Sequence, residues 1–258
     1  MRWCKRLAGL LGVLCMAGTA SAADMPCDDK VYTALGQQLH IKALLAADRA
    51  ERIASQACKP WPHKDTVLLS ALAFNEGKAK DVKTLLVATI DRRSMKVLSS
   101  HRERVEEDAL VGFGDSSLKF DTAAYRLNAD VVAFGVRFNS AAGGASCPEA
   151  GWEDELTLYV PAGATLKPVL HLAMHKYQAL KGCVGMPSED MVLEDANLSI
   201  ALEKTVSHGY ADLSVRAAIE GSAGKKGKAP LSRVERRVLR FDGRQYQLGK
   251  DAPWWMQF

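Results

Sequence analysis

The feature that most constrains this chain is apolar side chains recurring at every second position on both sides of a turn. In Ser117 to Asn139 (SLKFDTAAYRLNADVVAFGVRFN), Leu118, Phe120 and Thr122 alternate with polar residues, and after a turn so do Val132, Phe134, Val136 and Phe138. A period of two puts each set on one face of a pleated strand and leaves Lys119, Asp121 and Arg137 on the other. Asn197 to Ile219 (NLSIALEKTVSHGYADLSVRAAI) is built the same way, with Leu198, Ile200 and Leu202, then Leu213, Val215, Ala217 and Ile219, and with Ser214, Arg216 and Glu220 opposite. Each stretch reads as strand, turn, strand with one face buried.

Further hairpins surround these two. Thr66 to Phe74 reads as a strand ending at Asn75-Glu76-Gly77, and Thr84 to Ile90 turns at Asp91-Arg92-Arg93-Ser94 into Met95 to Ser99. Leu156, Leu158 and Val160 alternate, Pro161 to Ala164 turns, and Leu166, Val169 and Leu170 lead back to Tyr177. Val238 to Phe241 meets Asp242-Gly243, a two-residue hairpin signal, and returns through Tyr246 and Leu248. Acidic links, Glu106-Glu107-Asp108 and Ser188-Glu189-Asp190, precede the two opening stretches, so hairpin, link, hairpin occurs twice. The material falls short of the roughly four four-stranded blades that a closed propeller takes. The chain is therefore expected to be mainly β, an antiparallel meander of repeated hairpins forming a sandwich or open barrel.

The beginning of the chain differs. From Lys30 to Ala57 the spacing of Val31, Leu35, Leu39, Ile41, Leu44 and Leu45 is helical, and Asp48 is placed to start a second short helix running to Ala57. Lys59-Pro60-Trp61-Pro62 stops this unit, because each proline removes a backbone donor and disfavours helix in the residue before it. Ahead of it, Arg2, Lys5 and Arg6, the apolar run Leu7 to Met16 and the small residues Ala20 to Ala23 form a secretory signal peptide, with cleavage expected after Ala22 or Ala23. Cys15 follows Gly-Val-Leu and not the small residues a lipid-attachment site prefers. The expected organisation is a signal peptide at 1–23, a helical N-terminal segment at 24–62 and a repeated β domain at 63–258, with no transmembrane anchor after cleavage.

The chain holds 34 basic and 30 acidic residues, of which the signal segment takes three basic and no acidic ones. A mature chain so close to neutral gives no electrostatic case for nucleic acid as partner. Cys27, Cys58, Cys147 and Cys183 remain after cleavage, and an even number in an exported chain reads as disulfides. Sequence allows three pairings. Spacing favours Cys27 with Cys58 and Cys147 with Cys183, each closing a local loop and stabilising the fold by roughly 3 to 4 kcal/mol in the chain-entropy view. The first pair brackets the helical segment.

Chemistry-bearing residues are sparse. Phe113-Gly114-Asp115-Ser116 resembles the nucleophile block of GDSL esterases, but that family's downstream Asp-x-x-His does not occur in this chain. A serine without a positioned base is a weak nucleophile, so a plain turn at Asp115-Ser116 is expected. His171 and His175, four apart, are the candidate metal or acid/base pair, although no Glu stands between them as in H-E-x-x-H. On a strand they lie opposite Leu170, Leu172 and Met174, on the solvent side. The acidic pairs Glu107, Asp108 and Glu189, Asp190 read as solvated links. Gly221 to Ser232 (GSAGKKGKAPLS) reads as a mobile hairpin tip, and its Lys225, Lys226 and Lys228 are candidates for contact with an anionic partner. Trp254, Trp255 and Phe258 are the candidate apolar interaction surface. The final residues resemble the closing strand of outer-membrane barrels, but the strands read as shorter than the roughly ten residues those barrels need and Pro253 interrupts the last.

Cys58-Lys59-Pro60-Trp61-Pro62, the Ser117 to Phe138 stretch and Arg240-Phe241-Asp242-Gly243-Arg244-Gln245-Tyr246 resemble uncharacterised exported proteins of Gram-negative bacteria. The resemblance covers most of the mature chain. It implies a periplasmic or secreted location and carries over no activity or catalytic residue. The expected function is a non-catalytic binding protein with no cofactor, whose partner is a protein or cell-envelope component. The alternative is an envelope-acting hydrolase using His171, His175 and a carboxylate.

Overall fold

The structure, a computed structural model, describes residues 23–77, 79–185 and 188–257. The expected signal peptide, apart from Ala23, lies outside the described residues. Among these, eleven strands form one sheet. Strands β1 (Ile53–Pro60), β2 (Val67–Phe74), β3 (Val82–Asp91) and β4 (Val97–Glu106) make one antiparallel meander. Strands β5 (Leu118–Arg126), β6 (Val132–Phe138), β7 (Ala150–Ala162) and β8 (Thr165–Lys181) make a second. From the far half of β8 the sheet continues through β9 (Val192–Ser207), β10 (Tyr210–Ala223) and β11 (Arg233–Leu239).

The two meanders meet where β4 runs parallel to β8 through a single pair, Ser100 with Thr165. At the other flank β5 comes alongside β1, so the sheet nearly closes into a barrel. Side chains make this seam in place of a backbone ladder. The Leu118 amide donates to Ser55 Oγ at 3.2 Å, and the Phe120 amide donates to Asp24 Oδ2 at 2.9 Å. The expected mainly β meander in an open barrel is the observed fold.

Three cores hold it. Inside the barrel, Trp61, Leu69, Ala71, Val87, Phe134 and Tyr159 pack together. On the opposite face of β7 and β8, Leu156, Leu158, Leu170 and Leu172 pack against Leu213, Val215, Ala217 and Ile219 of β10 and against Trp255. Helix α1 (Asp29–Gln38) and the 3-10 turn Lys42–Leu45 cover the outside of β2 and β3, with Leu35, Ile41 and Leu44 on Leu72, Phe74 and Leu86. Phe134 and Val136, like Val215, Ala217 and Ile219, are buried as the alternation predicts, but in different cores, while Phe138, expected with the first set, is only half-buried at the end of β6.

A bulge makes one strand serve two cores. Leu158 pairs with Leu170 and Tyr159 with Pro168, so Val169 has no partner in the β7 ladder. One extra residue reverses every side chain beyond it. Leu166 therefore enters the barrel core while Leu170 and Leu172 enter the other.

Both expected disulfides are present, Cys27 to Cys58 and Cys147 to Cys183, closing separations of 31 and 36 residues. The first brackets the N-terminal helical segment, which is shorter than the periodicity predicts. Helix α2 spans only Arg49–Arg52, and Ile53 to Ala57 is strand, not helix. Here ladder partners override local propensity: β1 pairs with β2, and Cys58 also exchanges backbone hydrogen bonds of 2.8 and 2.9 Å with Met25. The expected boundary after residue 62 falls between two paired strands of one sheet.

Three other expectations change. Asp242-Gly243 does not make a two-residue hairpin, because Asp242 Oδ1 accepts from the Arg244 and Gln245 amides and widens the turn. The chain closes by one bridge, Phe241 to Tyr246, and the Tyr246 amide then donates to Val169 of β8. Strands β7 to β10 are 13, 17, 16 and 14 residues long, so the length ground for setting aside a membrane barrel does not hold. What opposes that architecture is the covering of the outer faces of β2, β3, β7 and β8 by other protein. Lastly, Leu202 is exposed although Leu198 on the same face is buried.

Candidate functional site

Position along β8 decides what its histidines do. Beyond the Val169 bulge, His171 and His175 share a face with Thr157, Glu155 and Glu153 of β7. Four strand residues span about 13 Å, whereas zinc binds imidazole nitrogen at about 2.1 Å. The two rings cannot share one ion, so the expected metal pair is corrected by strand geometry. Each ring is engaged separately. His171 Nδ1 is 3.0 Å from Thr157 Oγ1 and its Nε2 is 3.1 Å from a Glu155 carboxylate oxygen. His175 Nε2 is 2.7 Å from Asp195 Oδ1 of β9, with Glu153 3.5 Å from its Nδ1. Among the described residues no group of three or more His, Cys, Asp or Glu is arranged to hold a metal. Chemically this row can accept and donate hydrogen bonds along one face of β8.

The row borders a gap. Beyond the Ser100 to Thr165 pair β4 and β8 part, and a cleft of about 540 Å³ opens, lined in part by Glu103, Thr157, Tyr159, His171, Gln245 and Gln247. Burial pushes the Tyr159 phenol well above its ordinary value, which keeps it a neutral hydroxyl. Carboxylate, imidazole, amide and phenol thus meet over the apolar Leu170 and Leu248.

A second cleft, about 560 Å³, lies at the β1–β5 seam and is lined by Asp24, Arg49, Asp115, Ser116 and Lys119 among others. Asp115 and Ser116 form a turn as expected, and no histidine is in the cleft's lining among the described residues.

The candidate interaction surfaces fare differently. Trp255 is fully buried and its Nε1 donates to Glu235 Oε2 at 2.9 Å, while Trp254 is half-buried. Phe258 lies outside the described residues. The tail is a 3-10 turn (Trp254–Met256) docked in the core and not an apolar surface, with Trp255 and Met256 buried among the leucines and valines of β8 and β10. Lys225, Lys226 and Lys228 are exposed. Their loop is not a free tip, however, since the Gly224 amide donates to Met191 O at 2.8 Å and the Lys226 amide to Glu189 O at 2.7 Å. Lys226 also pairs with Glu189 through its side chain.

A further group carries no signal in the sequence. Lys167, His208, Tyr210, Phe241 and Arg244, from three separate chain reversals, line a cleft of about 570 Å³. Turn residues mark each reversal, but nothing local says that the three converge. No protein-family model matches the chain, and neither a curated protein nor a solved structure matches it.

Proposed function

We propose that the protein is an exported, non-catalytic binding module that holds a polar group of a protein or cell-envelope component in the gap between β4 and β8. The observation that carries this reading is the gap itself. Between β4 and β8 the sheet gives up its ladder after one parallel bridge and lines the opening with Glu103, Thr157, Tyr159, His171 and two glutamines. Unpaired strand edges are usually covered, so an edge left as a cleft of ligand size favours recognition. Two disulfides fit an oxidising compartment, and no helix among the described residues is long and apolar enough to cross a membrane. The secretory pattern at 1–23 and the resemblance to exported proteins support a periplasmic or secreted location.

Separate engagement of His171 and His175 by their own carboxylates favours binding over hydrolysis. The test compares the mature chain with Thr157→Arg, which puts a long side chain into the lining of the gap, in capture of envelope components followed by mass spectrometry. Components held by the parent and lost by Thr157→Arg are the expected result, and equal capture by both overturns the reading. Release of soluble fragments from envelope material, abolished by substituting both histidines with Ala, would install the hydrolase in its place.

A further inference from the structure

The cleft at the three chain reversals differs from the others in its charge. Each of the clefts at the seam and the gap has at least one carboxylate in its lining, Asp24 and Asp115 in one and Glu103 in the other. The lining of this one holds Lys167, Arg244 and His208 and no carboxylate. Lys167 and Arg244 are exposed, and neither side chain makes a hydrogen bond or ion pair among the described residues.

The nearest acid in sequence is already occupied. Asp242 spends one oxygen on the Gln245 and Arg244 amides and the other on Gln247 Nε2, and these bonds hold its carboxyl down at about 2. It fixes the turn that carries Arg244 and makes no direct ion pair with it.

An aromatic wall stands beside the cations. The Tyr210 and Phe241 rings lie 4.5 Å apart, and Phe241 is buried while Tyr210 is half-buried. His208 donates from Nδ1 to the Phe241 carbonyl oxygen at 2.8 Å, because a carbonyl can only accept. Its Nε2 is therefore the nitrogen left for a ligand. His208 keeps this position at φ 47°, a left-handed conformation uncommon for a side-chain-bearing residue, followed by Gly209 at φ 85°. Two successive left-handed residues make the tight reversal that joins β9 to β10.

We propose that this cleft binds a phosphate monoester carried on a flat ring. Two uncompensated cations match a dianion better than a single carboxylate does, and the Arg244 guanidinium offers the paired donors that suit phosphate oxygens. The half-buried Tyr210, backed by Phe241, offers a face on which a ring can stack. The volume, about 570 Å³, suits a small organic ligand. The inference does not rest on the envelope-binding reading, and either can fail while the other stands.

Amide-resolved NMR titration of the mature, disulfide-bonded chain tests it with three probes: phenyl phosphate, inorganic phosphate and phenol. Phenyl phosphate is expected to bind saturably, with shifts at residues 208–210 and 241–245, and about tenfold more tightly than either part alone. Lys167→Glu with Arg244→Glu should weaken it by at least about tenfold while leaving the rest of the spectrum in place, since neither side chain has a partner to lose. Lys119→Glu, an exposed cation in the seam cleft, should leave it unchanged. No saturable shift, equal affinity for inorganic phosphate, or an equal loss in Lys119→Glu would overturn the proposal.

Discussion

Glu194 is buried at the inner end of β9, where it accepts hydrogen bonds from Arg233 and, at 2.9 Å, from Gln178 Nε2. The Arg233 guanidinium holds its carboxyl below the usual range, and the Gln178 amide assists. A carboxyl whose folded value is depressed stabilises the fold above its unfolded value of about 4.3, and that contribution is lost as pH falls through the folded value. Glu194→Gln should therefore cost about 1 to 2 kcal/mol near neutral pH, discounted for the partial exposure of Arg233. By urea unfolding the difference from the parent should shrink at about pH 3; a difference that stays constant would refute the assignment. None of this was legible beforehand, since 39 residues separate the partners and no local pattern joins them. For His171 and His175, by contrast, alternation correctly put both off the leucine face. Their carboxylate neighbours come from β7 and β9, and only strand register supplies those.

At the scale of elements, strands and their turns were readable because a period of two is a local property of the chain. Two segments show where locality ends. Gly221 to Ser232 has the composition of a mobile tip, yet its backbone docks on residues 188–191, and a Cβ on Gly224 would stand 2.2 Å from Ser188 O and 2.6 Å from Glu189 O. Neither carbonyl can yield cheaply, so Gly224→Ala is expected to cost about 1 to 3 kcal/mol. It should also open the 221–232 loop to limited proteolysis before the rest of the chain; a variant as resistant and as stable as the parent would return the loop to the surface. The final Trp-Trp pair has the composition of a sticky surface, yet Trp255 fills the second core. Trp255→Ala should lower stability by about 3 to 5 kcal/mol, read as a fall in the urea midpoint, and leave any surface-borne binding untouched in the molecules that remain folded.

For the whole molecule, closure is the property on which most else depends. Asp24 ties the barrel by accepting from the Phe120 amide of β5 and lying 3.3 Å from Lys59 of β1, while Ser55 takes the Leu118 amide. Asp24→Ala with Ser55→Ala should speed hydrogen exchange at Leu118 and Phe120 with little change at Val215, which sits mid-sheet in the other core. Uniform acceleration would mean that the seam carries the global fold instead. The sequence alone marked most of the strands and their buried faces, placed a helical start without its true end, and favoured the two disulfide pairs among three, because side-chain period and loop length act between near neighbours. Only the tertiary structure decided how the sheet closes, how the Val169 bulge lets β8 serve two cores, and which reversals meet to form clefts. Those outcomes depend on groups far apart in the chain whose positions are set by twist, register and packing, and no local pattern encodes where distant elements come to rest.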